Sequence, residues 1–420
     1  MSLKLTKTYT PYDRYTDSGV AWLGQVPEGW EVLKLKSVVN ILNGATPKSD
    51  SLEYWDGDIN WVTPVDLSKL KSKYITDTLR KITKQGYLSC GTKIIPQGNI
   101  IMSCRAPIGL LAINSVDSTT NQGCKGLVIR KKTNTEYLYY LLSSLIPVIQ
   151  FHGNGSTFSE IKNNDLGSIV ISLPPLPTQQ RIATYLDEKT EKIDRIIDSK
   201  KRLVELLEEK RKSVISEAVE SVSDVKREKL KFVCSINIET LPETTYPDLS
   251  INYIDIGNVN NKGKIIDKEI VNFSDAPSRA RRIVQNDDVI IATVRTYLKA
   301  IAYFENPEDN TIVSTGFAVL TPTKKVLGKY LYYKILSKRF VDLVVAHSTG
   351  VSYPAINPTQ LGNLFLEYPS IERQKQIVAE TDKKIQEIEK VIKKVKQSIK
   401  LLTEYKSSLI SHVVTGRVRV

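Results

Sequence analysis

Arg279-Ala-Arg281-Arg282 places three guanidinium groups within four residues. A guanidinium binds phosphate and can pair with two acceptors of a guanine edge at once, so the cluster points to anion or nucleic-acid contact. Arg295 adds a further cation to the same half. In the N-terminal half Lys48, Lys71, Lys73 and Arg105 offer the same chemistry as single charges. Asn121-Gln122 carry side-chain amides, the groups that pair bidentately with adenine. A turn is the alternative there, because Ser314-Thr315 stand in the corresponding place further on. Two glycine-bearing loops, His152-Gly-Asn-Gly-Ser156-Thr157-Phe158 and His347-Ser348-Thr-Gly-Val-Ser352-Tyr353, present the hydroxyls of Ser156, Thr157, Ser348 and Ser352 for backbone or base contacts. A turn joining the domain to its helix, with the aromatic in a core, is the better reading for Phe158 and Tyr353 and an equal one for Ser156 and Thr157, and His152 and His347 read best as satisfied structural histidines. For any one of the cations a solvated face is an equal alternative, though less so for Arg281 and Arg282.

Catalytic patterns are missing. The chain has no GxxxxGK[ST] phosphate loop, no GxSxG and no HExxH. The string Leu173-Pro174-Pro175-Leu176 reads as a helix-entry turn. With 59 basic and 46 acidic side chains the formal charge is +13, which makes a polyanionic partner plausible without saying anything of the fold. Four cysteines with no CxxC pair and three histidines argue against a disulfide framework or a zinc cluster and for a reduced, cytoplasmic protein. No apolar run reaches the ~18–20 residues of a membrane span, and the first residues lack the apolar core of a secretory signal.

The elements that must position these residues come from an internal repeat. Shifted by 195 positions, Gly155–Val219 falls on Gly350–Val414 without a gap and with 19 identities in 65 positions. Gln179/Gln374, Asp187/Asp382, Leu166/Leu361 and Gly167/Gly362 are among them. Upstream the match is looser: EYLYYLLSS from Glu136 pairs with KYLYYKILS from Lys329, and NQGCKGLVI from Asn121 with STGFAVL from Ser314. Each half is therefore a divergent globular part followed by a similar tail.

The tails predict long helices. Leu173–Pro177 and Tyr368–Ser370 mark their starts. Ile385, Ile388, Ile392, Val395, Ile399 and Leu402 recur in steps of three and four, and Ile182, Leu186, Ile193, Ile197, Val204, Leu207, Val214 and Ala218 nearly so, in steps of three, four and seven, which is a coiled-coil seam. Packing the two helices on each other buries both stripes. The globular parts read as mixed α/β. Strands are expected at Trp30–Asn43, Ile94–Cys104, Gly126–Arg130, Ser168–Leu173, Ile251–Ile256, Arg282–Ala292, Ala300–Phe304 and Ile312–Leu320, with a helix at Glu136–Gln150. The expected organisation is a globular domain over 1–177, a helical region over 178–228, a second globular domain over 229–370 and a second helical region over 371–420. Their formal charges are +5, 0, +2 and +6, so the last helix carries much of the surplus.

Ser18–Val38, SGVAWLGQVPEGWEVLKLKSV, resembles the start of type I restriction–modification specificity subunits. LPPLPTQQRIATYLDEKTEKID (Leu173–Asp194) and PSIERQKQIVAETDKKI (Pro369–Ile385) resemble that family's two conserved regions. The resemblance covers essentially the whole chain. It implies two α/β target-recognition domains separated by two long antiparallel coiled-coil helices around a pseudo-two-fold axis. Each domain would read one half of a bipartite, asymmetric double-stranded DNA site, and the helices would set the unspecified spacer. It also implies two methyltransferase subunits docked on the chain, holding S-adenosylmethionine and methylating adenine N6, and restriction subunits using ATP and Mg. The chain itself would be non-catalytic and bind no cofactor. The Asn/Asp-Pro-Pro-aromatic motif of such adenine methyltransferases is absent from it.

Overall fold

In the computed structural model, which describes residues 10–130, 132–153, 160–350 and 354–420, the two tails are single helices, Leu176–Glu220 and Ile371–Val414. Neither contains an interior glycine, and both begin where prolines forbid earlier helix. By contacts the chain divides into two compact units. Residues up to Ser199 together with Ser398–Val420 form one, and Lys200–Gln397 form the other. The domain boundaries expected from sequence thus follow the order of the chain, whereas the compact units each take a globular part and a portion of both long helices.

In the first unit a five-stranded sheet has the order Val39–Asn43, Cys124–Ile129, Ile100–Ser103, Leu111–Asn114, Tyr74–Ile75. Strand residues alternate between faces. Ile100, Met102, Leu127 and Ile113 pack with Tyr137, Leu138 and Leu141 of helix Thr135–Ser144 and with Ile182 and Leu186 of the first long helix. Ile101, Ala112 and Cys124 face the opposite way, onto Val62, Leu67 and Ile95. A three-stranded sheet centred on Trp55–Val62 completes the domain, with Trp55 and Trp61 packed edge to face. The second unit repeats the scheme. Its sheet Cys234–Ile236, Phe317–Pro322, Val289–Ala292, Ile301–Tyr303 sends Val289, Ile291, Ala318 and Leu320 towards helix Gly328–Leu336, and Ile290, Ala292 and Val319 to a separate core. Both faces are covered, which is why Val-Ile-Ile-Ala at 289–292 is apolar throughout.

Several expected elements are divided by local chemistry. A 3-10 turn at Leu35–Ser37 splits Trp30–Asn43. Pro96–Gly98 shortens the next expected strand to Ile100–Ser103. The turn through Asp288, whose carboxylate accepts the Gln285 amide at 2.7 Å, separates Ala280–Ile283 from Val289–Ala292. Thr315-Gly316 separates Thr311–Ser314 from Phe317–Pro322. The helix expected over Glu136–Gln150 is two, Thr135–Ser144 and Ile146–Gly153, the second carrying Pro147 in its first turn.

Two identities of the repeat, Gln179/Gln374 and Asp187/Asp382, are joints between each head and its helix. Gln179 is buried; its Oε1 accepts the Asn134 amide at 2.8 Å and its Nε2 donates to the carbonyls of Lys132 and Pro174 at 3.1 and 2.8 Å. Gln374 is buried likewise; it accepts from Leu327 N at 2.9 Å and donates to Lys325 O and Pro369 O at 3.0 and 2.9 Å. Tyr140 donates to Asp187 at 2.6 Å and Tyr333 donates to Asp382. Burial, and then the acceptor carboxylate, push both phenols well above their ordinary pKa. In each unit the two long helices lie antiparallel, tied by Lys406–Asp194 at 2.6 Å in the first and Arg211–Glu389 at 3.4 Å in the second. Val204 and Leu207 of the first helix are half-buried, while Ile388, Ile392 and Val395 of the second are buried.

Candidate nucleic-acid interface

In the first unit, strand Ile100–Ser103 runs into Cys104-Arg105, where two other segments meet it. The Cys104 amide donates to Gly123 O at 2.8 Å, and the Ile161 amide to Cys104 O at 3.0 Å. Arg105 forms a β-bridge with Glu160, and its Nε reaches the Glu160 carboxylate at 3.0 Å. The turn Asn121–Gly123 is closed by its own side chain, since Asn121 Oδ1 accepts the Gly123 amide at 3.0 Å. A fourth segment arrives through Gly44. A Cβ there would lie 2.1 Å from Asn121 O, so only glycine permits the approach. Lys125 is buried and donates to Asn43 Oδ1 at 3.1 Å and Asn163 Oδ1 at 2.6 Å, pinning these segments together. The result is a cleft of about 450 Å³ lined by Arg105, Gln122, Lys125, Lys162, Asn163 and neighbours.

The second unit builds the same frame from different residues. The Thr293 amide donates to Gly316 O and the Ile356 amide to Thr293 O, both at 2.8 Å, and Val294 bridges Ala355. These are the repeat positions of Cys104, Gly123, Ile161, Arg105 and Glu160. Where the first unit has Arg105 bonded to Glu160, the second has Val294 followed by Arg295, an exposed residue at φ 52°. Thr296 and Ser348 share a hydroxyl–hydroxyl hydrogen bond at 2.9 Å, which holds this loop against the segment after helix Lys338–Ala346. The Thr315 amide donates to Arg279 O at 2.8 Å, so Arg279 joins the same edge.

The structure separates the candidates into groups. Arg105, Gln122 and Asn121 come together in the first cleft, although the Asn121 amide oxygen is spent on its turn. Gln122 is exposed and accepts from Thr46 Oγ1. Lys48 is exposed on the neighbouring loop, its carbonyl accepting Trp55 Nε1 at 3.0 Å. Lys71 is exposed elsewhere. Lys73 is ion-paired to Asp187 on the long helix with its side chain 15% exposed, so its charge is committed to holding head and helix together. In the second unit Arg279, Arg295 and Ser348 share one edge. The three clustered arginines do not act as one patch. Arg279 binds Asp255 at 2.8 Å, the Arg281 guanidinium stacks 4.6 Å from the Phe273 ring, and Arg282 is half-buried against Thr240. Successive strand residues point to opposite faces, which is what disperses them. Burial lowers the Arg282 pKa. Ser156, Thr157 and Ser352 lie outside the described residues. His152 and His347 each cap a helix end by bonding the carbonyl four residues back, at 2.8 and 2.9 Å.

Lys125, Lys162 and Asn163 were not singled out from the sequence, nor were Thr296 and Lys299. The alignment of Asn121-Gln122-Gly123 with Ser314-Thr315-Gly316 is the signal that leads to them, because every segment of both clusters bonds to that turn or adjoins it.

Among the described residues no group of three or more His, Cys, Asp or Glu is placed to hold a metal ion, and no helix is long and apolar enough to cross a membrane. The Cys104, Cys124 and Cys234 thiols are buried, and desolvation raises their pKa values, that of Cys234 to about 12, which keeps them protonated and unreactive.

The family model described as "Type I restriction modification DNA specificity domain" matches this chain twice, over residues 27–208 and 223–400. The chain belongs to that family. It is 37% identical over 188 residues to the type I restriction enzyme MjaIX specificity subunit of Methanocaldococcus jannaschii, an alignment spanning 44% of this chain and 43% of that protein. The chain thus matches somewhat less than half the length of that relative. Two solved structures share the fold. One, from work on complex assembly and conformational transition of the type I R-M system, superposes with TM-score 0.70 at 18% identity over 93% of this chain and 98% of the other. The HsdS subunit from Thermoanaerobacter tengcongensis gives TM-score 0.52 at 19% identity over 94% and 98%. Both likenesses fit two α/β domains with paired long helices. For this specificity-family chain, the two matches of one family model over successive halves agree with the repeat at 195 residues.

Proposed function

We propose that this chain gives a type I restriction–modification complex its DNA sequence specificity. Each head reads one half of a bipartite, asymmetric double-stranded site, and the long helices set the spacer and dock the two adenine methyltransferase subunits. The chain contributes no catalytic group. S-adenosylmethionine belongs to the methyltransferase, ATP and Mg to the restriction subunits, and the complex works in the cytoplasm.

The observation that carries this reading is one backbone frame built twice with different side chains at its edge. Arg105, Gln122 and Lys162 in one head correspond in place to Val294-Arg295, Thr315 and Asn357 in the other. A repeated frame with divergent edges suits two readers of two different half-sites. A palindrome reader needs two alike. Base edges are read by such amides and guanidinium groups, while lysines hold phosphates.

The test is a methylome. Co-expressed with its methyltransferase partner in a methylation-free host, the chain is expected to produce a bipartite N6-methyladenine motif absent with the methyltransferase alone. A stable complex with no such motif in an otherwise active methyltransferase overturns the reading. Binding should also be salt-dependent. Arg105→Ala and Arg295→Ala are each expected to weaken DNA binding by about 1–3 kcal/mol and to relax the motif at one position of the half-site their own head reads, with most of the log–log salt slope kept. A scaffold presenting two heads to proteins would show no such slope in titrations of duplex DNA.

A further inference from the structure

We propose that a basic groove on the second unit is a separate, sequence-independent binding site for the phosphodiester backbone of DNA, resting on the reading above but distinct from the candidate base-reading edge. One wall is the second long helix, which exposes Lys390, Lys393 and Lys396. At steps of three residues these ammonium groups follow one helix face at a rise of ~4.5 Å each. The other wall is the turn carrying Lys262 and Lys264, and Arg211 of the first long helix lies at the floor. The groove encloses about 610 Å³, and its six cations face two carboxylates, Glu208 and Glu389. Glu208 pairs with Lys262 at 2.6 Å, and Glu389 with Lys264 at 2.6 Å and Arg211 at 3.4 Å. Lys390, Lys393 and Lys396 have no carboxylate within ion-pair distance among the described residues.

Arg211 is already held within the groove by its neighbours. Its side chain is 6% exposed; Nη1 donates to Lys262 O at 2.9 Å, and Nε faces the Glu389 carboxylate at 3.4 Å. The surplus charge of the groove therefore sits on Lys390, Lys393 and Lys396, beyond the pairs made by Arg211, Lys262 and Lys264.

The repeat provides an internal control. The equivalent cleft of the first unit lies beside Lys406–Asp194, the counterpart of Arg211–Glu389, and encloses about 840 Å³. There Lys71, Lys73, Arg195 and Lys406 are balanced by Asp187, Glu191, Asp194 and Asp198, so the cleft is neutral. Asp198 stands where Lys393 stands in the other copy. Packing two helices against a head therefore does not require the surplus, and only one copy of the duplicated scaffold carries it. The groove also continues towards the candidate reading edge. An adjoining cleft of about 530 Å³ shares Arg211 and Lys262 and reaches Lys299, four residues beyond Arg295.

Lysines spaced along an open groove are point charges suited to a chain of regularly spaced anions, and they carry no base information. A DNA strand fits this better than an acidic peptide does. The groove thus adds affinity without specificity, and it does so on one side of the repeat only.

The test uses the full chain assembled with its methyltransferase. With Lys390, Lys393 and Lys396 all changed to Gln, affinity for duplex DNA at low salt is expected to fall at least tenfold, and the log–log salt slope to shrink by about 2–3, at about 0.9 per phosphate contact. The methylated motif should not change, and the triple Lys→Arg variant should restore the slope. An unchanged slope in a complex that still binds its motif overturns the groove while leaving the specificity reading standing. Lost methyltransferase assembly with an unchanged slope also overturns it, because the lysines then face a protein. A wild-type complex that binds no DNA motif removes the reading on which the proposal rests.

Discussion

Replacing Gln374 by alanine is expected to lower the stability of the second unit by about 3 kcal/mol. The side chain is buried and makes three hydrogen bonds to main-chain groups: Leu327 N, Lys325 O and Pro369 O. Removing it forfeits those bonds, each worth about 0.5–1.5 kcal/mol net, and leaves a buried amide unpaired at a cost of about 1–3 kcal/mol. For a folding unit of this size each kcal/mol lowers the melting temperature by roughly 2–4 °C, so the shift should be about 6–12 °C. Gln179→Ala should do the same to the first unit, because Asn134 N, Lys132 O and Pro174 O lose the same partner. The measurement is a thermal melt of each variant, with hydrogen exchange to show which unit loosens. A shift under about 2 °C would mean that water replaces the amide and that these identities are not joints. The recognised motif should not change for the variant that remains folded, since neither glutamine lies at the reading edge.

The joints were visible as identities, Gln179/Gln374 and Asp187/Asp382, because both copies must attach a head to a helix in the same way. The long helices were visible because glycine and proline stop at their ends and a three–four apolar spacing fills their length. Strand boundaries were less visible. In the run Arg282–Ala292 only Val289–Ala292 is buried on both faces, and the break before it rests on the Asp288 carboxylate turning back on Gln285. The candidate site was least visible. Arg281 and Arg282 are neighbours in sequence, yet the strand sends one over Phe273 and the other towards Thr240. Arg105 and Glu160, far apart in sequence, become partners across a β-bridge. Lys73 shows the same limit from the other side: nothing in its sequence neighbourhood announces Asp187, more than a hundred residues away. Charge type is legible in a sequence, but whether a charge is free to meet a ligand depends on contacts made at long range.

Deleting one heptad from the middle of each long helix should change the spacer and neither half-site. Seven residues shorten a helix by ~10.5 Å, which is about three base pairs at ~3.4 Å each. A heptad returns the apolar seam to nearly the same face, with a residual drift of only ~20°, so the antiparallel pairing of the helices survives a matched deletion. DNA does not return to phase so simply: at roughly 10–10.5 base pairs per turn, three base pairs rotate the duplex by about 100°. The variant is therefore expected to methylate a motif with a spacer up to about three base pairs shorter, and more slowly than the parent, because the heads must follow a rotated groove. Methylome sequencing reads both quantities at once. A folded, assembled variant that keeps the original spacer would show that the helices do not measure it, and spacing would then have to come from the docked methyltransferase subunits. A deletion in one helix alone breaks the seam register against its partner and should abolish assembly, which separates loss of packing from a change in measurement.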